Sequence, residues 1–335
     1  MNRANAVCLA APRGAVEVRP FEAGEPGGGE VRVRMEACGI CHSDVMIAGL
    51  EKLPLSPLVL GHEGIGIVEA AGEGVTEVSV GDRVGITYFG AGCGQCAACG
   101  SGHARYCAKQ SNHGYTRHGA LSAHAVVAAQ NLIRVPAALS PGEAAPLCCA
   151  GWTAMGALRE AGIERGQWVA IVGFGGLGHL ACGYAKEMGA RVAVIDSSAE
   201  KLEFARSLGA EIAVLPDTAR KTIVKETGGV QAAIVFTAAA AAAPVALSTV
   251  QRRGSLVLVG LTADAFPVSM TEVVLKGLRI QGSYLGTRQD LERVFEMAAA
   301  GRVKAHVSMH GIGEAPELIG RLGRGEMRGR AVVGF

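Results

Sequence analysis

Charge of one sign is missing from this chain: 32 basic and 30 acidic residues leave a net charge of +2, and no Lys/Arg block occurs that could track a phosphate backbone or a membrane surface. Nucleic acid is therefore not an expected partner. Long hydrophobic runs are missing too. Ala6 to Ala11 is too short for the apolar stretch of a secretory signal. The segment "AAIVFTAAAAAAPVAL", Ala232 to Leu247, falls short of the roughly 18 residues of a spanning helix and carries Pro244, so it reads as strand, turn and Ala-rich helix. Aromatic residues make up only 4 %, whereas glycine numbers 48, a combination suited to tight turns and close packing of helix on sheet. With no export signal, the ten cysteines point to a reducing, cytoplasmic setting, where thiols serve metals or chemistry rather than disulfides.

Two textures follow one another along the chain. From Ala6 to about Leu139, short apolar runs broken by Gly and Pro ("EVRVRMEACGI", "GIGIVEAAGEGV", "DRVGITY") read as β-rich, with no long amphipathic helix. From Gln167 to about Gly282, strand and helix alternate: "WVAIVGFG", "LGHLACGYAKEMGA", "RVAVIDSS", "AEKLEFARSLGA", then the strands "EIAVLP", "AAIVFTA" and "GSLVLVGL". This is the pattern of βαβ units on a doubly wound parallel sheet. The tail holds one helix, "TRQDLERVFEMAAAGRV", and a final strand, "RAVVGF", that can return to the first domain. The expected organisation is an α/β chain: a β-rich domain over 1–148, completed by 283–335, around a dinucleotide-binding domain over 149–282.

Inside the second texture, "VGFGGLG" places Gly173, Gly175, Gly176, Leu177 and Gly178 between a strand and a helix as G-x-G-x-x-G. The first glycine permits the turn, the second lets backbone approach a pyrophosphate, and the third lets helix and strand touch. The helix N-terminus offers free N–H groups to the anion. Asp196 closes the next strand 18 residues after Gly178, where a carboxylate accepts the ribose hydroxyls of NAD and repels the 2′-phosphate of NADP, although Lys201 and Arg206 lie close by.

Cysteine chemistry is concentrated in "CGQCAACGSGHARYC", where Cys93, Cys96, Cys99 and Cys107 are spaced C-x2-C-x2-C-x7-C. That spacing suits a closed, tetrahedral structural zinc, whereas two disulfides would need an oxidising compartment. A looser set comprises Cys38, Cys41 and His42 in "ACGICHSD", His62 and Glu63 in "GHEG", and Cys148 and Cys149 in "AAPLCCAGWT". Each is weak alone, since buried Cys often acts as a small hydrophobe.

These motifs, in this order and over nearly the whole chain, resemble the zinc-dependent medium-chain alcohol dehydrogenases, most closely the bacterial and yeast-type members, which are usually homotetramers. The resemblance implies a GroES-like catalytic domain beside a Rossmann domain, and a catalytic zinc held by Cys41, His62 and Cys149. It further implies reversible oxidation of primary or secondary alcohols to aldehydes or ketones, with a zinc-bound alkoxide passing hydride to nicotinamide C4. By the same resemblance Ser43 takes the alcohol proton, Asp44 orients the ligand histidine and Glu63 stands behind the metal. His42 and Arg330 match positions near the cofactor pyrophosphate, and Lys201, Val259, Leu261 and Ser283 match others along the cofactor. The substrate pocket is expected to be walled by Ser43, Phe89 and Trp152, with the aromatics of ethanol-preferring members partly absent from "GLEKLPLSP". Where many members carry a relay histidine, this chain has Met46. His103, His113, His118 and His124 are expected to be solvated or structural. The rival readings are a polyol or formaldehyde-type dehydrogenase, an aldehyde reductase, and a catalytically silent protein that binds NAD and zinc.

Overall fold

The computed structural model describes residues 4–335. Two compact units emerge: one takes the described residues up to Cys149 together with Ala305–Phe335, the other is Ala150–Lys304. No helix among the described residues is long and apolar enough to cross a membrane.

The first unit is built on β-strands, as its short, Gly-broken apolar runs require. Its main sheet centres on Glu30–Gly39, whose buried positions alternate through Val31, Val33 and Met35 before continuing into Ala37 and Cys38. That strand pairs antiparallel with Glu63–Ala71, with His124–Ala128, and with the C-terminal strand Arg330–Gly334. The last pairing, in register Val332↔Gly39 and Gly334↔Ala37, brings the C-terminal strand onto the first unit's main sheet. The core beneath gathers Val7, Leu9, Leu58, Leu60, Val84, Ile86 and Leu121, each 0 % exposed. Burial of side chains of this size contributes about 1.5–3 kcal/mol apiece.

The second unit is a six-stranded parallel sheet in the spatial order Ile212–Val214, Arg191–Ile195, Trp168–Val172, Val230–Val235, Val250–Leu258, Arg279–Gly282. By chain order this is 3-2-1-4-5-6, the doubly wound arrangement whose ligand crevice lies outside the carboxyl ends of the strands. The central strands Trp168–Val172, Arg191–Ile195 and Val230–Val235 are near-continuous buried apolar runs, as parallel strands covered by helices require. The helix Pro216–Thr227, not singled out in the sequence, supplies the crossover after Ile212–Val214. Its sequence "PDTARKTIVKET" is so polar that only Ala219 and Ile223 are buried.

The boundary between units differs from the sequence expectation. Residues 283–304 belong to the dinucleotide-type unit, because the helix Arg288–Ala299 packs on Ala150–Ala161. Asp290 receives the Arg159 Nε–H at 2.9 Å, and Trp152 donates its indole N–H to the Thr287 carbonyl at 2.7 Å. The helix itself starts where the sequence says it should: Thr287 and Asp290 form a reciprocal capping box.

Candidate functional site

Cys41 stands at the N-cap of the short helix His42–Ala48, immediately beyond the strand ending at Gly39. Its backbone N–H donates to Asp44 Oδ2 at 2.9 Å, while Asp44 Oδ1 accepts from Gly61 N–H at 3.0 Å. One fully buried carboxylate thus ties the segment bearing Cys41 to the segment bearing His62. Asp44 Oδ1 also lies 3.7 Å from His62 Nδ1, beyond hydrogen-bond range but close enough to act on its charge. His62 is 0 % exposed, and neither ring nitrogen has a hydrogen-bond partner. Two orphaned polar atoms in a sealed site are costly unless something binds them.

Cys149 completes the arrangement from 108 residues away, its Sγ 3.9 Å from Cys41 Sγ. One ligand atom from each of Cys41, His62, Glu63 and Cys149 falls within 4.8 Å of the others. Two thiols, an imidazole and a carboxylate form a donor set that zinc accepts. Cys38 and Cys148 are outside it, with their sulfurs directed at backbone carbonyls and their thiols pushed up by burial. The Cys149 thiol and His62, opposed by burial, hold Cys41 well below the ordinary thiol range. Cys41 and burial push Cys149 well above it. Burial opposes charge on His62, but Asp44 and Cys41 outweigh it and lift the imidazole to about 9. A metal entering here must displace protons from His62 and Cys149.

Behind the cluster, Arg330 gives Glu63 two contacts from one amino group, at 2.5 and 2.6 Å, and donates to the Ile40 carbonyl at 2.9 Å. Burial works against the Arg330 charge, yet Glu63 and Cys41 hold it protonated, above the usual guanidinium range. Gly39 is required opposite: a Cβ there would stand 2.0 Å from Glu63 Oε2. Arg330, expected near a pyrophosphate, is 4 % exposed and engaged with Glu63. Ser43 is half-buried with its Oγ 3.8 Å from Cys41 Sγ, whereas His42 and Met46 are exposed.

The aromatic ring against the cluster is Tyr88, which meets His62 edge-on with centroids 5.0 Å apart. Sequence reasoning named its neighbour Phe89, which sits in the strand Phe89–Ala91 and pairs with Asn112. In "ITYF" the two aromatics are adjacent, so only a one-residue register distinguished them. Trp152 is buried in the second unit, its indole packed close to Gly286.

The four-cysteine lobe is a different environment. Cys93, Cys96 and Cys99 are partly exposed and only Cys107 is buried. Cys96 and Cys99 sulfurs lie 3.5 Å apart, and Cys107 Sγ accepts backbone N–H groups of Cys93 and Lys109 at 3.4 Å. All four sulfurs lie within 4.8 Å of one another. Backbone N–H groups of Gln95 and Cys96 lower Cys93 to about 6, so a thiolate is ready for a metal. Every cysteine among the described residues is free.

In the second unit Gly173 ends its strand at φ +91, a conformation that strains any other residue, and a Cβ on Gly178 would come 2.1 Å from the Gly173 carbonyl. Nothing lies within 4 Å of a Cβ placed on Gly175, which leaves the space a phosphate would need. Gly176 and Leu177 lead into the helix Gly178–Glu187. Asp196, 8 % exposed, is already half occupied: Oδ2 accepts from Phe174 N–H at 2.7 Å and Oδ1 from Ser198 N–H at 2.9 Å. Each oxygen keeps a lone pair for a ribose hydroxyl. Arg206 is engaged with Glu203 and the Ala213 carbonyl. Val259 and Leu261 follow the strand Val250–Leu258, and Ser283 follows Arg279–Gly282 with its hydroxyl buried and unpartnered. Gly173, Asp196, Val259, Leu261 and Ser283 thus fall at the carboxyl edge of one sheet, with Lys201 in the helix after Asp196.

The sequence profile of the alcohol dehydrogenase GroES-like domain matches residues 27–137, and that of the zinc-binding dehydrogenases matches 176–300. An alcohol dehydrogenase of Geobacillus stearothermophilus is 41 % identical over 322 residues, 95 % of this chain and 96 % of that protein. A solved NAD-dependent alcohol dehydrogenase superposes with a TM-score of 0.90 at 29 % identity, covering 99 % of both chains. A dehydrogenase of Sinorhizobium meliloti 1021 solved with NADP superposes equally well, TM-score 0.90, at 25 % identity over 100 % of both.

Proposed function

The chain belongs to the zinc-dependent medium-chain alcohol dehydrogenases, and we propose that it carries out the NAD-linked, reversible oxidation of primary or secondary alcohols to aldehydes or ketones. The observation that carries this reading is the sealed Cys41, His62, Cys149 set with both His62 nitrogens unpartnered. Bound zinc supplies Lewis acidity that lowers the pKa of an alcohol, and bound NAD supplies the hydride acceptor. Cys41, His62 and Cys149 would hold that ion, with Glu63 held by Arg330 as a further carboxylate beside them. Asp44 fixes the Cys41 and Gly61 backbones and so the angle at which His62 presents its ring. Ser43, beside Cys41, takes the proton that leaves the alcohol. With Met46 where a histidine would continue the relay, that proton passes on through water or His42.

NAD rather than NADP is favoured by the buried Asp196 carboxylate and by Arg206, whose guanidinium is engaged elsewhere. Gly173 to Gly178 receive the pyrophosphate. Cys93, Cys96, Cys99 and Cys107 hold a second, structural zinc, giving two per chain. Free thiols throughout suit a reducing cytoplasm, and assembly as a homotetramer is the expectation to be checked by light scattering. The deciding experiment is zinc per chain by elemental analysis together with NADH formation at 340 nm from a panel of alcohols. Two zincs with turnover supports the reading; one zinc and no turnover with any alcohol or aldehyde overturns it.

A further inference from the structure

Four histidines near or beyond the cysteine lobe earn no role from sequence spacing, and one of them, His113, occupies an unusual place. It is 2 % exposed. Its backbone N–H donates to the Tyr88 carbonyl at 3.0 Å, and its Nδ1 lies 2.8 Å from the Thr87 carbonyl. A carbonyl can only accept, so Nδ1 carries the proton and Nε2 is a bare acceptor. That acceptor is buried and has no hydrogen-bond partner. The next residue, Gly114, packs so tightly on Gly61 that a Cβ would come 2.8 Å from its carbonyl oxygen. Gly61 precedes His62, and the Tyr88 ring abuts the His62 ring. His113 is therefore wedged between the two segments that form the wall of the Cys41, His62, Cys149 cluster.

We propose that His113 is a positioning residue of the alcohol site, its Nε2 accepting a hydrogen bond from an O–H group in the wall shared by Tyr88 and His62. The chemistry required is a hydroxyl donor, because the nitrogen offers a lone pair and no proton. Two sources supply it: a water fixed in the wall, or the second hydroxyl of a vicinal diol substrate. Burial, opposed by the Thr87 carbonyl and helped by the charge of Arg117, favours the neutral imidazole, so it acts as an acceptor and not as an acid. This inference rests on the alcohol dehydrogenase reading.

Two substitutions separate the ring's nitrogens. His113→Asn retains a donor near the Nδ1 position for the Thr87 carbonyl and removes the Nε2 acceptor; His113→Gln does the reverse. The measurement pairs crystal structures of the zinc- and NAD-loaded enzyme, with and without propane-1,2-diol, with kcat and KM for that diol and for propan-1-ol. The expected result is an oxygen about 2.7–3.2 Å from Nε2. If it is water, it is present without diol, and His113→Asn lowers kcat for both substrates about fivefold or more at unchanged KM, with His113→Gln closer to wild type. If it is the diol, kcat/KM falls by that factor for the diol alone, in line with about 1–3 kcal/mol for an unmet buried group. The proposal is overturned by structures with no oxygen within about 3.5 Å of Nε2, accompanied by His113→Asn kinetics within twofold of wild type and a lowered Tm for His113→Gln alone. A wild-type enzyme that oxidises neither alcohol refutes the underlying reading instead, and the crystallographic arm still decides the His113 acceptor.

Discussion

The two cysteine clusters use the same donor atom in opposite ways. In the lobe, four sulfurs from one 15-residue segment meet at the partly exposed edge of the unit, and backbone N–H groups reach their sulfurs. In the buried cluster, donors from Cys41, His62 and Cys149 converge across 108 residues of chain, with Asp44 and the Glu63–Arg330 pair behind them. Four equivalent thiolates saturate a tetrahedral ion, while two thiolates and an imidazole leave a position open. On the proposed reading the lobe would be a local staple and the buried cluster a place for chemistry. The difference lies less in the ligands than in how much of the fold is needed to assemble them.

Removing one donor from each cluster separates their roles most clearly. His62→Ala should abolish alcohol oxidation, by a factor of about 10³ or more, while one zinc per chain remains and far-UV circular dichroism is unchanged. Loss of both zincs in that variant would mean that the clusters are not independent. Next in size is the buried pair behind the metal. Arg330→Met strands the Glu63 carboxylate and should cost about 3–5 kcal/mol in urea unfolding, whereas Arg330→Met combined with Glu63→Leu should recover most of the loss. A double variant no more stable than the single one would show that Arg330 serves through other contacts. Smaller again, Cys96→Ser should release the lobe zinc and destabilise the unit by about 3 kcal/mol, a fall in Tm of about 6–12 °C, with kcat at 25 °C retained within a few-fold. Loss of kcat in proportion to lobe zinc would place the lobe inside the catalytic machinery.

Legibility in the sequence followed the same divide. The clustering of the lobe's four sulfurs could be read from spacing alone, because all of them come from one segment. The glycine loop could too, since strand, glycines, helix and Asp196 sit within one βαβ unit whose local signals agree. The buried set could not: Cys41, His62 and Cys149 form a set only through the family resemblance, because nothing local distinguishes Cys149 from Cys148. Structure makes the distinction, turning one sulfur to Cys41 and the other to the Gly64 carbonyl. Tyr88 was missed for a similar reason, as strand register decides which of two adjacent aromatics faces His62. The domain boundary moved because the pairing of Asp290 with Arg159 is a tertiary contact 131 residues apart in sequence.

The smallest effect concerns acid stability and contrasts two buried histidines within the first unit. His62 is lifted to about 9 by Asp44 and Cys41 despite its burial, whereas His113 is lowered to about 4, chiefly by burial. For His113 the folded value lies below the unfolded value of 6.5. Well above pH ~6.5 neither state binds the proton and the neutral ring contributes its full stability. As pH falls from there toward 4, the unfolded chain takes up a proton that the folded chain refuses, and stability is lost. At pH 5 the loss reaches about 2 kcal/mol, at 1.36 kcal/mol per unit. His113→Asn cannot titrate, so its unfolding free energy should fall by about 2 kcal/mol less than that of wild type between pH 7 and pH 5, with urea melts at equal zinc occupancy as the measure. Equal losses in the two proteins would mean that His113 is protonated as readily when folded as when unfolded, which its closed surroundings and its single carbonyl partner argue against.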